Sequence, residues 1–151
     1  MNAFPPVGEL VAHAGGMLLI DRIVAAVGET IRSETTIRPD NIFYQRGHGV
    51  PAYVGFELMA QTISAYDGLR RRDKGEKPVI GFLLGCRRYA AVRPFFVEGD
   101  RLTIEATSLL GEEGMASFDC RILDADGVEV AAATINVYRP ADPEAFLRSQ
   151  L

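Results

Sequence analysis

The period of the apolar positions changes several times along the chain. From Met17 to Val27 and from Ile31 to Arg38, apolar and β-branched residues dominate, with Gly28-Glu29 between the two runs. That pattern predicts a β-hairpin, stopped by Pro39-Asp40. Ahead of it, Gly8 to Ala14 has room for one or two helical turns. Asn41 to Val50 has the composition of a turn. From Pro51 the chain runs to Arg72 without another proline, and a proline suits a first helical position, where no N–H is needed. Tyr53 to Met59 is apolar on nearly every side, which predicts burial on nearly every side. Asp67 and Arg70, Arg71 and Arg72 then turn the helix polar, with cations at the negative end of its dipole.

Beyond Lys74-Gly75-Glu76 the period falls to two. Pro78 to Val92 is a long β-type run, and Pro94 to Asp100 reads as a connection. Leu102, Ile104, Ala106, Ser108 and Leu110 share one face of the next strand, opposite Thr103, Glu105 and Thr107. Gly111 to Gly114 turns it. Ala116, Phe118, Cys120 and Ile122 alternate with Ser117, Asp119 and Arg121, and Asp126-Gly127 marks a hairpin turn before Val128 to Tyr138. A polar tail broken by Pro140 and Pro143 closes the chain. The expected class is α+β, with an antiparallel sheet wrapped around one long central helix, because that arrangement buries both. No repeat or linker divides residues 1–151, so a single domain is expected.

Composition narrows the function. A chain of 151 residues buries roughly 68–70% of its unfolded surface, enough for a sizeable core. Its 16 Lys+Arg against 20 Asp+Glu give a net charge of -4, which argues against a nucleic-acid partner. The longest apolar stretches, such as Val79 to Cys86, fall short of the ~18 residues of a membrane span. The opening residues lack the charged and apolar regions of a secretory signal, so a cytoplasmic location is expected. Cys86 and Cys120 lie far apart in strand-like runs and read as buried thiols.

Two residues stand out chemically. His48 lies in Arg46-Gly47-His48-Gly49, where flanking glycines permit unusual backbone angles, just before the start of a helix with its unpaired N–H groups. The only other histidine, His13, has no acid within a helical turn except Glu9, and a structural role is expected for it. Glu57 interrupts Val54-Gly55-Phe56-Glu57-Leu58-Met59-Ala60, and a carboxylate on a buried face needs a partner or a proton. Gln61, one turn on, can supply a hydrogen bond. A buried acid satisfied by a backbone group or an arginine fits these residues equally well. Asp124-Ala125-Asp126-Gly127 lacks the later ligands of a calcium loop, and no nucleophile elbow, dinucleotide fingerprint or phosphate loop is present. Two histidines and two distant cysteines do not suggest a metal site. Arg70 to Arg72 and Arg87-Arg88 are basic runs of the kind that form solvated faces or dock an anionic partner.

Four segments in this order resemble the hot-dog-fold 3-hydroxyacyl-[acyl-carrier-protein] dehydratases, and most closely their divergent aryl-polyene-type members. Leu10-Val11-Ala12-His13 with Met17-Leu18-Leu19-Ile20-Asp21-Arg22 is similar to the opening of that family. Phe43-Tyr44-Gln45…Gly47-His48 is similar to its catalytic-histidine segment. Val50-Pro51-Ala52…Glu57-Leu58-Met59-Ala60-Gln61 is similar to its catalytic-acid helix. Arg93-Pro94-Phe95-Phe96-Val97-Glu98-Gly99-Asp100-Arg101-Leu102 is similar to its strand connection. Two departures are visible: only Gly49 and Val50 separate His48 from Pro51, where the family has several more residues, and Ala52 replaces a glycine.

The resemblance implies a hot-dog fold and dehydration of a carrier-bound 3-hydroxyacyl thioester without metal or organic cofactor. His48 would remove the α-proton. Glu57 of a partner subunit, with Gln61 and a water, would hold or protonate the departing hydroxyl. The Ala52 N–H would stabilise the thioester oxygen, and Arg87 and Arg88 would dock the acidic carrier protein, with Arg70 to Arg72 as a weaker candidate. A homodimer or larger homo-oligomer is then the competent unit. The fold also resembles that of acyl-CoA thioesterases, in which a helix acid activates water. A non-catalytic acyl- or carrier-binding subunit is the third reading, prompted by the short link after His48.

Overall fold

The computed structural model describes residues 4–11, 17–75, 82–109 and 115–138, except for the side chains of 82–84, 86 and 87. His13, the Cys86 thiol, Leu110, the 111–114 turn and the C-terminal tail lie outside the described residues.

The strands are β1 (Arg22–Val27), β2 (Thr30–Thr36), β3 (Val50–Pro51), β4 (Phe82–Ala91), β5 (Phe95–Phe96), β6 (Arg101–Ser108), β7 (Met115–Leu123) and β8 (Glu129–Tyr138). One long helix, α1 (Gly55–Asp73), lies between β3 and β4. Six strands form one antiparallel sheet in the order β1-β2-β6-β7-β8-β4, and β3 pairs with β5 in a separate ribbon. The hairpin turn at Gly28-Glu29 uses a glycine at φ 60°. β6, β7 and β8 form the expected meander.

Alternation puts Ile31, Ser33 and Thr35 of β2, Leu102, Ile104 and Ala106 of β6, and Phe118, Cys120 and Ile122 of β7 on the buried face. On β8 the consecutive Val130 and Ala131 are both buried, because the register between β7 and β8 shifts there. α1 packs on β2, β6, β7 and β8. It turns Leu58, Met59, Thr62, Ile63, Ala65 and Tyr66 inward. Gly68 lets the 4–11 segment cross close by: a Cβ there would stand 2.1 Å from the Leu10 carbonyl oxygen. Just past the helix, Gly75 turns the chain with φ 75°, and its N–H donates to Arg72 O. Among the described residues, no helix is long and apolar enough to cross a membrane.

Three expectations need correction. Pro51 does not open the helix. It continues β3, with ψ 137° and Phe95 as its partner, and a short 3-10 turn, Ala52–Val54, intervenes before α1. The ribbon is favoured because the Ala52 N–H donates to Pro94 O at 2.8 Å, which holds Pro51 extended. The stretch from Tyr53 to Met59 is not buried all round either, since Tyr53 is 68% exposed and Phe56 and Glu57 are half-buried. Finally, Pro94 to Asp100 contains β5. The Asp100 carboxylate accepts the Val97 N–H at 2.9 Å and pairs with Arg93 at 3.5 Å, while Gly99 N–H donates to Ile37 O, so the connection is tied to β2's end.

Candidate active site

The first turn of α1 carries Glu57, which is half-buried. Its Oε1 accepts Gln61 Nε2 at 3.2 Å, across one helical turn. Gln61 is fully buried and also reaches another part of the chain: Nε2 donates to Met17 O at 2.6 Å, and Oε1 accepts Leu19 N–H at 2.8 Å and Ile20 N–H at 3.4 Å. A primary amide offers two donors and two acceptor positions, and all four are used inside the chain. The hydrogen bond to Glu57 expected from the sequence is present, and the same amide joins Glu57 to Met17, Leu19 and Ile20. Thr35 continues the tie by donating to Leu19 O at 2.9 Å, and Thr62, which donates to Leu58 O, meets Ser33 Oγ at 2.7 Å.

His48 is exposed, at the corner of a closed turn. Gln45 N–H donates to Gly49 O at 2.8 Å, and His48 and Gly49 N–H groups both donate to Gln45 O. Gly47 at φ 81° and Gly49 at φ 116° supply the left-handed angles that the turn demands. Space excludes a side chain at Gly49 as well, because a Cβ would lie 2.2 Å from Phe96 O. The imidazole stacks on Phe95, with centroids 5.3 Å apart and planes at 25°. Its direction is thus set by β5. Among the described residues, no hydrogen bond or ion pair links His48 to Glu57 within one chain.

The Ala52 N–H is spent on Pro94 O, so the donor expected to meet a thioester oxygen is already engaged. The Ala52 carbonyl is engaged too, accepting Gly55 N–H and a short hydrogen bond from the Tyr89 hydroxyl. Arg88 is exposed and sits in a left-handed conformation, φ 55°, where the pairing of β4 with β8 shifts register. It borders an open hollow of about 830 Å³ that is also lined by Glu105, Asp119, Arg121 and Glu129. The alternation of β6 and β7 puts Glu105, Asp119 and Arg121 on the sheet face turned away from α1. The carboxylates there leave no purely cationic patch. The Arg87 side chain lies outside the described residues. Arg71 and Arg72 pair with Asp67 and Glu9, and Arg70 donates to Tyr66 Oη, whose hydroxyl donates to Glu29.

Burial pushes the Glu105 carboxyl up, but hydrogen bonds from Arg121 and Arg32 outweigh it and hold the group below the ordinary carboxylate value. The same bond raises Arg121. Among the described residues, no group of three or more His, Cys, Asp or Glu side chains is arranged to hold a metal ion.

The acid on the first turn of α1, with a glutamine one turn on and a glycine-framed histidine before the helix, is the setting in which the known proteins become informative. The sequence profile of the ApeP-like dehydratases matches residues 5–148. The chain belongs to the ApeP-like dehydratase family. Its fold also superimposes on a chain of the dehydratase heterocomplex ApeI:P from Xenorhabdus doucetiae, with a TM-score of 0.88 and 26% identity, covering 98% of this chain and 99% of that one. The PaaI protein from the phenylacetic acid degradation operon of E. coli has a TM-score of 0.60 at 16% identity, covering 78% of this chain and 81% of its own. A hypothetical thioesterase with coenzyme A from Streptococcus pneumoniae has 0.58 at 19%, covering 78% and 84%. The latter two likenesses show the hot-dog fold alone. Sequence reasoning missed Tyr89 and Phe95 as neighbours of this ApeP-like site. An aromatic residue in a strand carries no local signal that separates it from ordinary core.

Proposed function

We propose that the chain takes part in dehydration of a 3-hydroxyacyl thioester to the trans-2-enoyl thioester, with the acyl group carried on an acidic carrier protein. The observation that carries this reading is Glu57, held at the start of α1 by a saturated Gln61 in an ApeP-like chain. In the reaction the C2–H bond breaks and its proton passes to His48, the electron pair forms the C2=C3 bond, and the C3–O bond breaks as the hydroxyl takes a proton from Glu57 and departs as water. Because no hydrogen bond or ion pair joins His48 to Glu57 within one chain among the described residues, the pair is assigned to two subunits. The likeness to a chain of ApeI:P makes a second hot-dog dehydratase a candidate partner, beside a second copy of this chain. With the Ala52 N–H engaged, enolate charge is left to the positive end of α1. Arg87 and Arg88 are the proposed contacts for the carrier.

A second reading is a non-catalytic subunit that binds or supports a catalytic partner. It is favoured by the engaged Ala52 N–H, which removes the expected oxyanion donor. The deciding experiment incubates the chain, alone and with such a partner subunit, with a 3-hydroxyacyl-carrier thioester, and follows the acyl group by mass. Loss of water that disappears in Glu57→Gln supports the catalytic reading. Loss of the whole acyl group points to thioester hydrolysis instead, and loss of water that survives Glu57→Gln assigns the chemistry to the partner.

A further inference from the structure

We propose that Tyr89 is a positioning residue that sets the first turn of α1, and with it Glu57, by a hydrogen bond from its hydroxyl to the Ala52 carbonyl. The inference rests on the functional reading above for its kinetic consequence only. Three features converge on that contact. The Tyr89 hydroxyl donates to Ala52 O, the same oxygen that accepts Gly55 N–H, so one carbonyl ties β4 to the turn that leads into α1. Gly55 has ordinary helical angles, φ -55° and ψ -30°, so its backbone does not require a glycine. Space does: a Cβ at Gly55 would stand 2.2 Å from Tyr89 Oη, 3.2 Å from Tyr89 Cζ and 2.9 Å from Ile122 Cδ1. The glycine is explained by the tyrosine it admits.

The third feature lies in β4. Arg88 adopts φ 55° and the β4–β8 register slips between Arg87 and Ala90, which inserts an extra residue on β4. A side chain other than glycine in that conformation carries a local cost, and such costs persist where surrounding structure over-determines them. Here the slip changes the facing of Tyr89 relative to regular alternation, and its hydroxyl reaches the helix start. The bond also fixes the plane of the Ala52–Tyr53 peptide, five residues before Glu57 on a turn with no side-chain cap. Without it, the backbone entering α1 keeps the Ala52 N–H bond to Pro94 and the helical bonds, and Glu57 keeps its bond from Gln61.

The test compares wild type, Tyr89→Phe, Gly55→Ala and the double variant in the assembly that shows dehydration. Tyr89→Phe keeps the ring and removes the hydrogen bond to Ala52 O, so kcat is expected to fall about 3- to 10-fold with KM nearly unchanged. Gly55→Ala displaces the hydroxyl and gives the same split. The double variant loses less than the product of the single losses, since the closest clash involves Oη, which Tyr89→Phe lacks. Amide hydrogen exchange over residues 55–58 of the intact protein is expected to quicken in Tyr89→Phe, whether or not the assembly turns over. Wild type that never dehydrates defeats the functional reading, and exchange then decides the positioning role. Unchanged exchange, or an active assembly in which Tyr89→Phe retains wild-type kcat, overturns the role of Tyr89.

Discussion

Replacing Gln61 by leucine tests how firmly the 17–20 segment is tied to α1. The substitution keeps approximate volume but removes the amide that accepts Leu19 N–H at 2.8 Å and donates to Met17 O at 2.6 Å. Leu19 is 6% exposed and Ile20 2%, so water does not readily replace the lost acceptor. A buried donor left unsatisfied costs about 1–3 kcal/mol. Met17 is 46% exposed, and its carbonyl recovers part of its loss from solvent. The expected total is about 2–4 kcal/mol, or roughly 5–15 °C in melting temperature for a chain of this size. Thermal and urea unfolding at one fixed protein concentration measure it, because oligomer stability depends on concentration. Gln61→Glu adds a sign to the test. Its carboxylate would face Met17 O and the Glu57 carboxylate, whereas its protonated form can donate one of the two hydrogen bonds that the amide donates. The introduced group is therefore expected to have a folded-state pKa above its unfolded value, so the variant's deficit relative to wild type is smallest in acid and grows as pH rises through the folded value. Gln61→Leu within 0.5 kcal/mol of wild type (a threshold set by the usual scatter of surface changes), or Gln61→Glu with no such pH trend, would refute the saturated-amide argument.

Glu105 behaves in the opposite sense: its folded-state value is depressed, so its contribution is present above about pH 4.5 and is lost as pH falls through the lower folded value. Urea titrations of wild type and Glu105→Gln should therefore diverge near neutrality and converge in acid; a constant gap would contradict the Arg121 and Arg32 assignment. Gly49→Ala places a Cβ 2.2 Å from Phe96 O at φ 116° and should cost more than about 2 kcal/mol by chemical unfolding, with loss of the His48 turn. A loss under 1 kcal/mol would show that the β3–β5 ribbon yields easily. Reversing Arg87 and Arg88 to Glu should weaken turnover of a carrier-bound thioester more than that of a short thioester mimic, with the difference fading as salt rises. Equal losses on both substrates would exclude a docking role.

What the sequence determined by itself was the order and type of the long elements. The two-residue alternation of β6 and β7 and the apolar run of α1 are local patterns, since burial against one layer is written into every second or every third and fourth residue. Glu57 was legible for the same reason, as a charge breaking an apolar run. Tertiary structure decided the rest. Pro51 became strand because an acceptor 43 residues away, the Pro94 carbonyl, takes the Ala52 N–H, and no local propensity encodes that partner. Gln61 was legible as a partner of Glu57, but its bonds to Met17, Leu19 and Ile20, more than 40 positions distant, were not. Tyr89 gained its meaning only when a register slip beside a left-handed Arg88 brought its hydroxyl to Ala52. Hydrophobic period is a property of neighbours in sequence, whereas a hydrogen bond is satisfied by whatever group the packed layers bring within about 3 Å.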